Sequence, residues 1–279
     1  MIEYLELNAY AFRFKIKQDT SKEALLHYFN ISTKRFSDYI IKPDTSFYKK
    51  NTTCTIEFPI ETIENLIDKP VSILYEDECL IAAYKPPFLL VHDDGNHQDN
   101  LQNRVNCYLY NEGHPHSCQA IHRIDTECSG IVLFSKLPFF QGMFDSLIAQ
   151  HECIKEYYAL VQGRIPWNIK TIDMPIGRNR HNAKAMIISK NGKKSISHVK
   201  VLKRQNNTTL CKVNIETGRK HQIRVHLSSS GFPIINDPIY GTIIDHRGML
   251  LENYHMAFNH PLYNQLVNIE IPLDDRFNK

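Results

Sequence analysis

An α+β fold is predicted for this chain: a large strand-rich region with flanking helices, preceded by a small N-terminal α/β module. Three observations carry that reading. Short strand patterns recur between residues 53 and 271 and are separated mostly by turns rather than by long helices. Helical spacing is confined to a few segments, at 22–29, 32–40, 99–110 and 140–148. A length of 279 residues suffices for one large domain, or for a small domain followed by a larger one.

Composition narrows the function classes. A hydrophobic content of 42% with 23% charged residues describes an ordinary globular chain. The net charge of +3 permits a nucleic-acid partner without demanding one, because a localised patch matters more than the total. No stretch approaches the ~20 apolar residues of a membrane span. The opening Met1-Ile2-Glu3-Tyr4-Leu5-Glu6-Leu7 lacks the basic-then-apolar pattern of a secretion signal, so no membrane partner is expected. Seven cysteines, at 54, 79, 107, 118, 128, 153 and 211, contain no Cys-x-x-Cys pair and read as reduced thiols of the cytoplasm.

Residues 1–69 read as the separate module. Lys22–Phe29 and Ser32–Ile40 have helical patterns, the second with Ser32 as N-cap, and Thr53–Phe58 alternates like a strand. The module resembles the S4 RNA-binding domain, in which such a helix pair presents basic residues to RNA. A cap that only covers hydrophobic surface accounts for the same residues. The turn at Lys69-Pro70 marks the boundary with residues 70–279.

Strands are expected at Ser72–Tyr75 and Leu80–Tyr84 around the acidic turn Glu76-Asp77-Glu78, with Lys85-Pro86-Pro87 breaking the second. His114, His116, Cys118 and His122 carry the residue types of a zinc site, but their spacing matches no zinc pattern and Pro115 interrupts it. A surface loop is the better account. It leads into His122-Arg123-Ile124-Asp125-Thr126-Glu127-Cys128-Ser129-Gly130, after which the chain turns apolar and β-branched through Ser135. Asp125 is thereby set at the mouth of a strand, as an ion-pair partner or as a reactive group.

Further on, Lys155–Gly163 reads as a strand with Tyr157, Ala159 and Val161 on one face and Tyr158 and Leu160 on the other. Asp173–Ala185 is a basic polar insert, expected as a loop, and with Lys190, Lys193 and Lys194 it forms the densest cationic region. Strands recur at Ser197–Leu202 and Leu210–Glu216. The segment Thr217–Leu227 crowds Arg219, Lys220, His221, Arg224 and His226 into one region and becomes helical only towards its end, with Gly231 as the stop. A buried arginine there needs a carboxylate, for which Asp125 is the obvious candidate. A turn-rich loop, Pro233–Gly241, and a strand near Leu266–Ile271 close the chain.

In that order, Lys85-Pro86-Pro87 with Val91-His92, His122-Arg123-Ile124-Asp125 with Ser129-Gly130, Lys155-Glu156-Tyr157-Tyr158-Ala159, Gly218–Leu227, Asp237–Gly241 and Phe258-Asn259-His260-Pro261 resemble the RluA family of RNA pseudouridine synthases. The resemblance covers roughly residues 70–279. It implies a mostly antiparallel bent sheet with a central cleft, isomerisation of uridine to pseudouridine in ribosomal or transfer RNA, no metal or organic cofactor, and a monomer. By motif match it implies catalytic roles for three residues. Asp125 would act on sugar or ring, Arg224 would hold it as an oriented carboxylate, and Tyr157 would stack on the base and move a proton. Arg123 would fill the gap left by a flipped uridine. His122, Lys85, Arg219, His221 and Gln222 are further substrate-binding candidates.

The chain departs from the family pattern at several positions. It has Thr126, Glu127 and Cys128 where Arg, an acid and Thr are usual, Tyr84 for Asn, and Phe88 and Asn236 for Gly. Leu251-Glu252-Asn253 stands where Leu-His-Ala is usual. These changes leave the implied catalytic set intact and bear on which RNA is taken. They also keep open an RNA-binding or ribosome-assembly factor that has lost useful turnover. A thiol-dependent hydrolase built on Cys128 is the poorest alternative, because no helix N-terminus is expected beside that thiol.

Overall fold

The computed structural model describes residues 1–32, 34–35, 39–60 and 62–278. It opens with a hairpin that the sequence patterns did not single out, β1 (Ile2–Leu7) and β2 (Ala11–Ile16). The side chain of Asn8 closes the turn by accepting from the N–H groups of Tyr10 and Ala11 at 2.9 Å. β3 (Thr20–Ser21) leads into α1 (Lys22–Tyr28), where Ser21 Oγ caps the Ala24 N–H. The second expected helix, Ser32–Ile40, falls partly outside the described residues. β4 (Ile41–Lys42), β5 (Phe47–Tyr48) and β6 (Thr53–Glu57) follow, and the first sheet runs β1-β2-β6-β4. Its inner face is closed from outside the module. Phe12 packs on Phe140 with ring centroids 5.4 Å apart, and Phe29 on Phe139 at 5.0 Å.

From residue 72 the chain builds one ten-stranded sheet. β7 (Ser72–Glu76) and β8 (Leu80–Lys85) pair around Asp77, whose carboxylate accepts from the Cys79 and Leu80 N–H groups. α2 (Leu101–Asn111), capped by Asn100, precedes β9 (Gln119–Ala120) and β10 (Ser129–Ser135). Then come α3 (Gln141–Ala149), β11 (Ile154–Gln162), β12 (Ile169–Asp173), β13 (Ile176–Arg178), β14 (Met186–Ile188), β15 (Ile196–Arg204) and β16 (Thr208–Ile215). α4 (Gln222–Ser229), β17 (Leu251–Asn259) and β18 (Leu266–Glu270) finish the chain. The spatial order is β12-β15-β16-β11-β17-β10-β8-β7, with β18 beside β17 and β9 beside β10.

Every pairing in this sheet is antiparallel except one. β10 and β17 run parallel, Ser129 opposite Glu252 and Gly130 opposite Asn253. Gly130 has φ +120, and a Cβ there would overlap the Asn253 backbone, so only glycine lets the strands meet. Two expectations are corrected. The basic insert is not all loop, since β13 lies within it and pairs with β14 just beyond it, from Ile176–Ile188 to Arg178–Met186. β17, nearly wholly buried at the centre of the sheet, was missed because a strand buried on both faces loses the alternation that betrays a half-buried one. No helix among the described residues is long and apolar enough to cross a membrane.

Five histidines, His114, His122, His221, His226 and His260, are held by burial below the usual imidazole range, His122 down to about 3 with the Lys155 charge adding to burial. A depressed folded-state pKa means that the unfolded chain binds more protons as pH falls below ~6.5. Stability therefore drops with pH through that range, down towards pH 3 for His122. The melting temperature is expected to fall by roughly 5 °C or more between pH 7 and pH 5. A flat profile in differential scanning fluorimetry would contradict the burial of these rings.

Candidate active site

Three strands, two helices and the loop before β10 converge on a cleft of about 750 Å³. Residues 121–128 enter β10 through a turn in which the Cys128 N–H donates to the Asp125 carbonyl at 3.1 Å. Across the parallel pair, Asn253 lies opposite both Gly130 and Tyr157. The register between β11 and β17 slips between Glu156 and Tyr157, a bulge that re-aims the side chain beside it. Tyr157, beside the bulge, lines the cleft together with Asp125. α4 enters from the other side. His221 takes a left-handed turn at φ 57, and the first turn of the helix carries Arg224 inward.

Arg224 is 1% exposed, and all three nitrogens of its guanidinium donate to carboxylates. Nε and Nη2 donate to the two carboxylate oxygens of Asp237, each at 2.8 Å, and Nη1 donates to Asp125 Oδ2 at 2.7 Å. The Tyr240 ring lies against the same guanidinium, 5.3 Å from centroid to Cζ. Burial alone would push the arginine down, but the hydrogen bonds and charges of Asp237 and Asp125 raise it further above its usual range. Burial likewise pushes the Asp237 carboxyl up, and the Arg224 hydrogen bonds outweigh it and hold the group low. The planar fork explains why arginine occupies this position. A lysine ammonium cannot bind one carboxylate with two parallel bonds and a second with a third.

Asp125 is the partly open member, with its side chain 27% exposed. Oδ2 is taken by Arg224, while Oδ1 has no hydrogen-bond partner among the described residues, and the residue lines the cleft. Tyr157, 8% exposed, has no hydrogen-bond partner for its hydroxyl among them either. Burial, with the neighbouring Cys128 and Asp125 adding to it, raises its phenol, so the group stays protonated at neutral pH. His221 Nδ1 pairs with the Tyr240 hydroxyl at 2.9 Å, and its Nε2 lies 3.9 Å from Asp125 Oδ2. The same hydroxyl accepts from the Met186 N–H at 2.6 Å, which ties Tyr240 to the β14 backbone.

The structure gathers Asp125, Tyr157, Arg224, Arg123, His122, Arg219, His221 and Gln222 around the cleft, and corrects one substrate-binding candidate, Lys85. Lys85 is fully buried, and its ammonium donates to the carbonyls of Pro86, Leu89 and Thr126 at 2.7 to 2.9 Å. It pins two loops together and touches no open space. Burial lowers it to about 8. The amide of Gln222 is spent on Thr217, Arg219, Ile196 and Ser197. His122 Nε2 accepts the Leu133 N–H at 3.2 Å, which makes it a support for the loop. Arg219 keeps a guanidinium on the cleft but gives its Nε to the Lys194 carbonyl. Arg123, by contrast, is exposed and makes no hydrogen bond or ion pair with a described residue.

Three site groups escaped the sequence reading. Asp237 and Tyr240 were read as part of a turn-rich loop, and nothing local in Asn236–Gly241 says that its carboxylate faces a buried arginine. Lys155, 7% exposed, lines the cleft with no carboxylate partner among the described residues, and burial holds it below its usual range. Its place next to the glutamate-tyrosine pair was a usable signal. Cys128 points away from nucleophilic chemistry. It is 2% exposed, its thiol donates to the Leu251 carbonyl at 3.1 Å, and burial raises it to about 12.

The densest set of metal-ligand types among the described residues is Asp77, Cys79 and His260, away from this cleft. The N–H groups of Leu262 and Tyr263 both donate to His260 Nδ1 at 3.2 Å, which leaves the proton on Nε2, directed at Asp77 and Cys79. A metal would need the lone pair of that same nitrogen. The donor set suits a hydrogen-bond network and does not fit an ion.

Comparison with known proteins identifies the family. The family model described as RNA pseudouridylate synthase matches residues 79–229, a span that includes Asp125, Tyr157 and Arg224. The Bacillus subtilis (strain 168) protein "Uncharacterized RNA pseudouridine synthase YlyB" is 31% identical over 229 residues, 79% of this chain and 76% of that one. "Ribosomal large subunit pseudouridine synthase D" of Buchnera aphidicola is 31% identical over 216 residues, 77% of this chain and 67% of its own. The solved structure "Human RNA Pseudouridylate Synthase Domain Containing 1" superposes with a TM-score of 0.64 at 23% identity, covering 74% of this chain and 84% of that one, which identifies the fold. The chain belongs to the RNA pseudouridylate synthase family, in its RluA branch, and is an enzyme that isomerises uridine to pseudouridine in RNA.

Proposed function

We propose that Asp125 is the carboxylate that acts on the target uridine. The observation that carries this is the asymmetry of its two oxygens: Oδ2 is fixed by Arg224, itself locked from behind by Asp237, while Oδ1 has no hydrogen-bond partner among the described residues. In the reaction the N1–C1′ bond breaks and a C5–C1′ bond forms. The C5 proton leaves and N1 gains one, so no oxidant or second substrate is needed. A fixed carboxylate serves as nucleophile at the sugar or ring. Tyr157 stacks against the detached base, and its hydroxyl relays a proton as it gives up its own. Arg123 fills the space vacated by the flipped uridine.

The RNA is proposed to be that of the large ribosomal subunit, the target named for several relatives. The enzyme acts as a monomer in the cytoplasm, a setting that suits seven free, buried cysteines. Residues 1–69 form an accessory module that covers the hydrophobic face around Phe139 and Phe140. Many of its cations are spent locally, Lys22 on Asp44, Lys42 on Glu57 and Lys49 on Asp19. A pseudouridine map of ribosomal and transfer RNA from cells with and without the chain tests the assignment. Loss of defined large-subunit sites supports it, and loss confined to transfer RNA redirects it.

Phosphate contacts are assigned to the β13–β14 hairpin and the segment after it, where Arg178, Arg180, Lys184, Lys190, Lys193 and Lys194 are exposed without a carboxylate partner among the described residues. Replacing Lys193 and Lys194 with Ala is expected to weaken binding at all sites alike and to flatten the slope of log K against log salt by about 1 to 2. An unchanged slope would remove the hairpin from the RNA path.

A further inference from the structure

Two non-glycine residues in left-handed backbone, Phe88 at φ 67 and Asn236 at φ 62, line one small cavity of about 270 Å³ together with Glu127, Pro238 and Ile243. Asparagine tolerates that conformation, but for a bulky aromatic it is a strained outlier of the kind retained where a site needs it. Each wall is fixed by buried polar groups. Asn236 donates to Asp245 Oδ1 and the Gly248 carbonyl and accepts from the Ile244 and Asp245 N–H groups, which orders the loop carrying Ile243. The Phe88 N–H donates to the Thr126 carbonyl at 2.7 Å, and Lys85 ties the same loop down from beneath. What these loops present is nonetheless apolar and open: Phe88 is 64% exposed and Ile243 61%.

The cavity neighbours the cleft through one contact. Glu127 stands on its wall, and Glu127 Oε2 lies 4.0 Å from Arg224 Nη1, the nitrogen that holds Asp125. No hydrogen bond engages the Glu127 carboxylate among the described residues, so it offers acceptors only. We propose that this cavity is a subsite for a nucleobase adjacent to the target uridine, stacked on Phe88, wedged against Ile243 and read by Glu127 through an exocyclic amino group. The inference rests on the reading of the Asp125 cleft as the seat of the target. An exposed aromatic beside an aliphatic wall suits a base face. A carboxylate favours cytosine, adenine or guanine, which carry amino donors, over uracil, whose edge is mostly carbonyl.

Phe88→Gly is the informative variant, because glycine takes φ 67 without strain and the fold should lose nothing. With unmodified total RNA from cells lacking the protein, Phe88→Gly is expected to raise KM about tenfold, with kcat changed less than twofold and an unchanged or higher melting temperature. Phe88→Trp is expected to restore KM, and RNA is expected to quench the new indole. Substituting each base next to a mapped target by uridine should raise KM for the wild type at one position, and Glu127→Gln should lessen that penalty. An unchanged KM for Phe88→Gly overturns the proposal. So does an indole that RNA leaves unquenched. Failure of the cleft reading shows separately, as turnover retained by Asp125→Asn on the same RNA.

Discussion

Asp125→Asn is expected to reduce pseudouridine formation by at least about 10⁴-fold while leaving RNA affinity within about twofold. The amide is nearly isosteric, and its oxygen can still accept from Arg224 Nη1, as Oδ2 does at 2.7 Å. What disappears is the charge and nucleophilicity of a carboxylate that lines the cleft. The fold should tolerate the change. Arg224 keeps both bonds to Asp237, and Asp125 is partly open to solvent, so a cost below about 2 kcal/mol is expected. A mass-tagged uridine conversion assay with purified protein, paired with a filter-binding isotherm, gives both quantities. Turnover within tenfold of the wild type would remove Asp125 from the chemistry. A parallel collapse of binding would show that the carboxylate holds RNA or the loop rather than reacting.

Much of this site was legible because its motifs are local. Asp125 sits between a charged cluster and an apolar strand, and the crowding of cations from Arg219 to His226 announced a site that needs carboxylates. The alternation around Tyr157 also held, with Ala159 and Val161 on its side and Leu160 on the other. Asp237 was not legible, because its meaning is set by Arg224, thirteen residues earlier, across a loop whose path depends on Asn236 and Gly241. Lys85 misled for the opposite reason. A lysine before two prolines reads as exposed, yet the carbonyls that hold it come from Pro86, Leu89 and Thr126, two of them from turns that only the folded chain brings together. β17 escaped because burial on both faces erased its period, and the parallel contact at Gly130 depends on a strand over a hundred residues away. Motif position proposed the reactive groups, and tertiary contacts decided which of the candidates line the cleft.

Arg224→Met separates the two jobs of the guanidinium. Removing it leaves the Asp237 carboxylate, 0% exposed, with only the N–H groups of Ile239 and Tyr240 as donors. Breaking one side of a buried pair costs about 3–5 kcal/mol, because the remaining charge is uncompensated. Urea unfolding should show that loss as a lower midpoint at constant slope. Adding Asp237→Asn neutralises the stranded charge, and its side-chain oxygen can still accept from both N–H groups. The double variant is therefore expected to recover about 1–3 kcal/mol relative to Arg224→Met. Turnover should not return with stability, since Asp125 has lost the donor that orients Oδ2 in both proteins. Recovery of activity in the double variant would mean that Arg224 serves only to balance Asp237. Equal stability of all three proteins would mean that the fork contributes nothing to the fold, contrary to its burial.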